Sequence, residues 1–279
     1  MRSRAAVPAI AAVATVSLAA CGGGPSGPPG LAYGLPNPTT VTYVMADTSR
    51  MDIDAGGQAM QATMASAVTL GATFARAAEG VQVTFDVKDL AATVGNPMGS
   101  QTADESGITG PLVVSFDRRG VATVVSEPQL TETASQFFQP LSVAHGIFPR
   151  LPGRAAGLGE SWTDTIRYEG TQGPGSVKAL AVITYTVAGD SVVDGRSLVK
   201  ITMKGTSESS AAGVITGMDF SQAVTGSLDG WALWDQQRSL MVESYADADG
   251  RGTMEVSAAP MPLGLRVKTQ SRVKLQPIS

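Results

Sequence analysis

The side chains that could do acid–base or nucleophilic chemistry are few, because the chain contains one His, His145, and one Cys, Cys21. A Ser-His-Asp hydrolase would have to use His145, but no Gly-x-Ser-x-Gly turn presents a serine to it, and Gly159-Glu160-Ser161-Trp162-Thr163 lacks the closing Gly. We interpret His145 as a helix-end residue whose positive charge suits the helix dipole. A Cys/His zinc site and an intramolecular disulfide are both excluded.

Ser-x-x-Lys, the spacing of serine penicillin-binding enzymes, occurs at Ser197–Lys200 and at Ser271–Lys274. The spacing works there because the two side chains lie one helical turn apart. Both copies in this chain fall in segments that alternate as strands do, where residues three apart point to opposite faces. We therefore assign no catalytic residue to either copy.

Acidic residues form two further patterns. Asp247-x-Asp249-Gly250 is similar to the start of a calcium loop, but the next ligand position would be Arg251, so we interpret this segment as a hairpin turn and predict no metal. Glu160, Asp164 and Glu169 flank Trp162, as acids flank an aromatic residue in sugar sites, although packing is the reading we favour for Trp162. No phosphate loop or dinucleotide fingerprint is present, so no cofactor is predicted.

The N-terminus indicates where the protein is located. Residues 1–20 have a short basic start and an Ala-rich apolar run, which is typical of a secretory signal peptide. The run ends in Leu18-Ala19-Ala20-Cys21, which resembles the lipobox of bacterial lipoprotein precursors. The resemblance implies that Cys21 is acylated, becomes the mature N-terminus and anchors the protein to the membrane outside the cytoplasm. The residue after Cys21 is Gly22 and not Asp, which resembles the pattern of lipoproteins exported to the outer membrane. The resemblance therefore implies a location in the outer membrane, facing the periplasm, if the cell has one.

The following residues, 21–38, are rich in Gly and Pro and are predicted to be a tether that carries the acylated Cys. The chain's formal net charge is −4, with 20 basic and 24 acidic side chains. That balance provides no basic surface for nucleic acid, so the expected partners are the membrane, through Cys21, and an envelope lipid or protein.

The rest of the chain alternates apolar and polar residues between turn signals, which predicts an all-β fold of curved antiparallel sheets. Two halves are expected, 39–148 and 161–279, joined by a linker at 149–160. The sequence of Gly107–Leu112 is similar to that of Ala223–Leu228, which indicates that the two halves are related. The predicted strands lie at Thr42–Ala46, Gln58–Phe74, Val81–Lys88, Leu112–Phe116, Val121–Val125, Trp162–Tyr168, Ala179–Val187, Ser197–Lys204, Ala223–Trp234, Ser239–Tyr245, Gly252–Ser257 and Leu263–Leu275.

Only Thr131–Ile147 is predicted to be helical, as one or two short helices capped by Thr131 and interrupted by Pro140. The segment Phe148-Pro149-x-Leu151-Pro152, followed by Gly159-Glu160-Ser161-Trp162 and paired hairpins, resembles an uncharacterised family of bacterial lipoproteins. The layout is also similar to carrier lipoproteins whose curved sheet wraps an apolar cavity.

Two hypotheses on function follow from this pattern. In the first, the protein is a non-catalytic lipoprotein that binds an apolar or amphiphilic envelope ligand, in a cavity lined by Met60, Met64, Phe85 and the Trp residues. In the second, it is a structural or partner-binding envelope lipoprotein with a filled core. An enzyme is the least favoured reading, because the sequence provides no set of nucleophile, base and metal.

Overall fold

The computed structural model describes residues 30–54, 56–57, 59–96, 99–172, 175–215, 218–257 and 261–277. The predicted signal peptide and Cys21 lie outside the described residues. The strands are β1 (Thr40–Asp54), β2 (Ala59–Arg76), β3 (Gly80–Asn96), β4 (Gly99–Asp104), β5 (Ile108–Thr109), β6 (Leu112–Asp117), β7 (Ala122–Ser126), β8 (Gln129–Leu130), β9 (Ser161–Gln172), β10 (Gly175–Val193), β11 (Arg196–Ile215), β12 (Met218–Asp235), β13 (Leu240–Val256) and β14 (Leu263–Leu275). Two helices, α1 (Glu132–Phe137) and α2 (Pro140–Gly146), follow β8.

Twelve strands form one curled antiparallel sheet in the order β7-β6-β3-β2-β1-β14-β13-β12-β11-β10-β9, with β4 paired to β3. The all-β prediction is therefore confirmed. The two halves are joined edge to edge, because β1 from the first half pairs with β14 from the second over Tyr43–Asp54. The sequence similarity between Gly107–Leu112 and Ala223–Leu228 has no structural counterpart, since Gly107 precedes the short β5 whereas Ala223 lies within β12.

The two faces of the sheet differ in chemistry, as strand alternation requires. On β14, Arg266, Lys268 and Lys274 are exposed on the outer face, while Leu265 and Val273 are buried on the inner face. Ion pairs connect neighbouring strands across the outer face, such as Arg266 of β14 with Asp249 of β13 at 2.8 Å. These ion pairs lie on the outer face only, so the apolar inner face must be covered by another part of the chain.

At the β1–β7 end of the sheet, Phe148 covers that face. Phe148 follows α2 and is 5% exposed. Its ring centroid lies 5.4–6.4 Å from those of five other aromatic rings, in T-shaped and tilted arrangements that aromatic quadrupoles favour. The five are Tyr33, Tyr43, Phe74, Phe85 and Phe116. The segment that the sequence marked as Phe-Pro-x-Leu-Pro is thus the centre of the core.

The helices form as predicted. The Thr131 hydroxyl accepts a hydrogen bond from the Ala134 amide at 3.2 Å and caps α1. Pro140 stands in the first turn of α2, where its missing N–H costs no helical hydrogen bond. The two helices and the segment after them lie between the ends of the curled sheet, and Arg119 of the β6–β7 turn contacts Asp164 of β9 at 2.5 Å. This ion pair connects the two ends.

The predicted tether is wrong for its described part, residues 30–38. Leu31 is fully buried and forms an isolated β-bridge with Arg154, and Tyr33 is 5% exposed and donates a hydrogen bond to the Pro149 carbonyl at 2.7 Å. Two apolar side chains in a Gly/Pro-rich segment were the signal that it packs. The predicted linker, 149–160, is likewise partly core, since Leu151 is fully buried.

The predicted turn at 246–251 is also wrong, because β13 runs straight through it. Asp247 and Asp249 pair with β12 and β14 in continuous register. Their carboxylates face Gln270 and two cations of β14, so cross-strand pairing outweighs the turn preference of Asp-Gly. Consequently the region is one long strand instead of two short ones.

Candidate functional site

A cavity of about 330 Å³ lies between the inner face of β9–β14 and the covering segment formed by α2 and Phe148-Pro149. This volume is at the lower end of the range of ligand pockets, roughly 300–1,000 Å³. The sheet side of the cavity is made mostly of small and apolar side chains with several hydroxyls, and Glu208 of β11 also lines it. The other side chains include Ile166, Ala179, Ala181, Ile183, Tyr185, Met203, Ser207, Ser209, Leu228, Ser244, Ala246, Ser271 and Val273.

Glycines on the inner face allow the sheet to curl around this cavity. A Cβ at Gly226 would lie 2.6 Å from the Asp249 carbonyl oxygen, and one at Gly230 would lie 2.4 Å from the Tyr245 carbonyl oxygen. Real Cβ atoms do not approach backbone that closely, so only glycine fits where β12 and β13 bend towards each other. The Gly content of the second half therefore shapes the cavity.

The covering side of the cavity adds further polar groups. His145 of α2 stacks on Tyr168 of β9, with ring centroids 5.3 Å apart and 7° between the planes. The Tyr168 hydroxyl lies 3.3 Å from the Ser142 hydroxyl. Burial, together with the positive charge of Arg150, lowers the pKa of His145. His145 lies in the last turn of α2, as predicted, but burial disfavours its charged form and so weakens any favourable interaction with the helix dipole.

Arg150 follows the cavity-lining Pro149, and its backbone is held in place. Its carbonyl accepts a hydrogen bond from the Trp162 indole N–H at 3.1 Å. Trp162 in turn stacks on Tyr185, whose ring lies 5.7 Å away. Burial raises the pKa of Tyr185 to about 12, so this cavity-lining phenol stays neutral. Arg150 itself is 3% exposed, which is rare for an arginine.

Asp47 lies on the inner face of β1, two positions beyond the buried Met45. It is directly opposite Ser271, which lines the cavity, and opposite Ser66 of β2 on its other side. Burial raises the pKa of Asp47, although a hydrogen bond with Ser271 acts in the opposite direction. Asp47 therefore places a carboxyl group on the inner face of the sheet, between two serines.

We expect Asp47→Asn to stabilise the protein near neutral pH. A carboxyl whose folded pKa is raised stabilises the native state while protonated, and that contribution is lost as the pH rises through the folded pKa. Thermal unfolding should show a higher Tm for Asp47→Asn than for the wild type at about pH 7, and the difference should vanish by about pH 3. Asp190→Asn, at an exposed position of β10, is the control and should show no such trend. A constant difference at all pH values would contradict the account.

The other sequence-predicted site residues are dispersed. Met64 lines a surface groove, Met60 is exposed at 42%, and Phe85 is in the core, so the predicted lining of the cavity is wrong for all three. Trp234 is buried in the core, and Trp231 lies on the outer face beneath the Lys200 ammonium, 5.8 Å from the ring centroid. Of the Trp residues, Trp162 comes nearest to the predicted role, since it holds the segment next to the cavity.

The acids around Trp162 do not form a carboxylate pair. Glu160 is bound to Arg154, Asp164 to Arg119 and Glu169 to Lys178. In the part of the chain that the structure describes, no three His, Cys, Asp or Glu side chains come together as a metal site would require. Neither α1 nor α2, nor any other helix among the described residues, is long and apolar enough to cross a membrane.

Sequence reasoning missed Arg150 and Asp47, although each leaves a signal. Arg150 is the only charged residue in Ile147-Phe148-Pro149-Arg150-Leu151-Pro152, and Asp47 continues the inner-face series of Val41, Tyr43 and Met45. A charge in a series of buried positions is the pattern that marks a buried polar group. Neither signal shows which residues of the folded protein lie opposite Arg150 or Asp47.

Comparison with known proteins does not assign a family. No family model matches the chain, and no curated protein matches it. Among solved structures, OccK7 (OpdD) of Pseudomonas aeruginosa has a TM-score of 0.22 at 7% identity, covering 86% of this chain and 100% of that chain. OmpF of Salmonella typhi in complex with daunomycin has a TM-score of 0.19 at 8% identity, covering 83% and 97%. Likenesses at this level carry no argument about function.

Proposed function

We propose that the protein is an extracytoplasmic lipoprotein, anchored through acylated Cys21, that binds an apolar or amphiphilic envelope ligand without catalysis. The observation that carries the proposal is the cavity of about 330 Å³ lined by α2, Phe148-Pro149 and the largely apolar inner face of β9–β14. A structural lipoprotein would be expected to fill this space with side chains, because protein interiors are close-packed.

The lining supports a ligand with an alkyl chain. Ala181, Met203, Leu228 and Val273 supply apolar contacts, and small residues beside them leave the volume open. Burial of apolar surface contributes about 25 cal/mol per Å². Met203 adds a side chain that adapts to irregular shapes, which suits a flexible ligand.

The chemistry of the site supports binding rather than reaction. His145 is stacked on Tyr168, and its buried Nδ1 atom has no hydrogen-bond partner. The carboxylates nearest to Trp162 are neutralised by Arg and Lys side chains. Neither His145 nor these carboxylates are therefore paired, as a general base, with a nucleophile.

A displacement assay tests the proposal. All described residues lie beyond residue 29, so a chain that starts at Gly22 keeps the described fold and lacks the acyl anchor. A fluorescent fatty-acyl probe should bind this chain with saturable stoichiometry well below its unfolding temperature, and extracted envelope lipids should displace the probe. Binding that no lipid class displaces would contradict the proposal and favour the structural alternative.

Anchoring has its own test. Cys21→Ser removes the sulfur that the lipobox resemblance marks for acylation, and two or more acyl chains are needed for stable anchoring. We expect the variant to lose incorporation of labelled fatty acid and to leave the washed membrane fraction. Ser26→Ala, in the same predicted tether, is the matched control and should remain membrane-bound. A Cys21→Ser variant that incorporates label as the wild type does would overturn the anchor.

A further inference from the structure

The strongest unexplained feature of the molecule is the charge of Arg150. The side chain is 3% exposed, and its Nε atom is buried without a hydrogen-bond partner. Within the described ranges, no ion pair joins Arg150 to a carboxylate, whereas Arg119 and Arg154 on either side in sequence each contact one. A buried guanidinium without a counter-charge is strongly unfavourable, so a fold that keeps one usually gives it a partner.

The neighbours of Arg150 direct attention to the cavity. Its positive charge acts on Tyr33, His145 and Tyr185, and burial disfavours the charged form of all three. His145 and Tyr185 line the cavity, as does Pro149, the residue before Arg150. His145 also has a buried Nδ1 without a partner, so one unsatisfied nitrogen belongs to a cavity-lining residue and a second to the residue after the cavity-lining Pro149.

The backbone of Arg150 is fixed in position before any ligand arrives. The Trp162 indole holds its carbonyl, and the Tyr185 hydroxyl accepts a hydrogen bond from its backbone. Preorganisation reduces the ordering cost of binding. A planar guanidinium presents a fork of N–H donors that matches the oxygens of a carboxylate or a phosphate.

We infer that the ligand is an acidic amphiphile whose carboxylate or phosphate is bound by Arg150, assisted by His145, while its alkyl chain lies on the inner face over Ala181, Met203 and Leu228. This inference rests on the proposed function and specifies its ligand class. The headgroup supplies the negative charge that Arg150 lacks. The small and apolar lining supplies the contacts for the chain.

The test compares ligands that differ only in their headgroup, using the chain from Gly22. Palmitate is paired with hexadecanol, and phosphatidic acid with phosphatidylcholine, each as a competitor of the same fluorescent acyl probe. A charge-assisted hydrogen-bond pair corresponds to roughly 10–100-fold in affinity, so the acidic member of at least one pair should bind that much more tightly. The arm that shows the difference distinguishes a carboxylate from a phosphate.

Arg150→Met and Arg150→Lys complete the test. Met removes the charge but keeps an unbranched apolar stem, so it should abolish the preference for the acidic ligand while hexadecanol still binds. Lys keeps the charge and should keep part of the preference. Circular dichroism and the Tm verify that each variant is folded. If Arg150→Met does not fold, the comparison of acidic with neutral ligands on the wild type decides the test.

The possible outcomes distinguish a failure of the acidic ligand class or of Arg150 from a failure of the proposed function. Equal binding of acidic and neutral ligands by the wild type would overturn the acidic ligand class and leave the apolar cavity intact. A preference that persists in a folded Arg150→Met variant would overturn the role of Arg150. Failure of every amphiphile to bind would overturn the proposed function itself.

Discussion

Replacing Phe148 with Ala is expected to lower the free energy of unfolding by about 3–5 kcal/mol, as for other large-to-small changes in a packed core. Phe148 is 5% exposed and contacts rings from β1, β2, β3 and β6, so its removal leaves a cavity at the point where the covering segment meets the sheet. Urea denaturation followed by Trp fluorescence measures the change.

The control for Phe148→Ala is Phe220→Ala, which removes the same side chain from a half-buried position near the start of β12. We expect a loss of about 1 kcal/mol or less there. If both variants lost the same stability, the aromatic cluster around Phe148 would not be the centre of the core.

Filling the cavity should remove ligand binding. Ser207 of β11 is half-buried and lines the cavity between Ala181 of β10 and Gly226 of β12. Ser207→Phe adds a ring on the inner face and should weaken binding of a fluorescent acyl probe by at least about tenfold, because the ring occupies the volume that the ligand needs.

The adjacent residue provides a matched control, since strand neighbours point to opposite faces. Thr206 is exposed on the outer face, so Thr206→Phe adds the same ring outside the cavity and should leave probe affinity unchanged. Equal affinities of folded Ser207→Phe and Thr206→Phe would place the ligand elsewhere on the protein.

The sequence predicts the elements of this fold better than their lengths. Val81–Lys88 alternates clearly and lies in β3, and Asp117-Arg118-Arg119-Gly120 forms a tight hairpin turn between two predicted strands, with Gly120 at φ 82°. By contrast, β11 extends to Ile215 through a run of Ser, Ala and Gly that has little strand propensity of its own. Hydrogen bonding to β10 and β12 on both sides keeps that run extended, and no local pattern reports such neighbours.

The candidate site was less predictable than the fold, because its parts are distant in sequence. The cavity brings Ser142 and Pro149 of the covering segment against Leu228 and Val273 of the sheet. Strand alternation shows which side chains share a face, but not which part of the face stays uncovered. That depends on where Phe148 packs, and its five aromatic partners are spread from Tyr33 to Phe116.

The most direct test is native mass spectrometry of the wild-type chain from Gly22 onward, beside Ser207→Phe, each exported to the envelope behind a cleavable signal peptide without a lipobox and then purified mildly. We expect a wild-type population heavier than the bare chain, with the extra mass recovered as one class of acidic amphiphile, and a Ser207→Phe population at the mass of the bare chain. A wild type that carries no amphiphile and acquires none on incubation with envelope lipids would contradict this expectation.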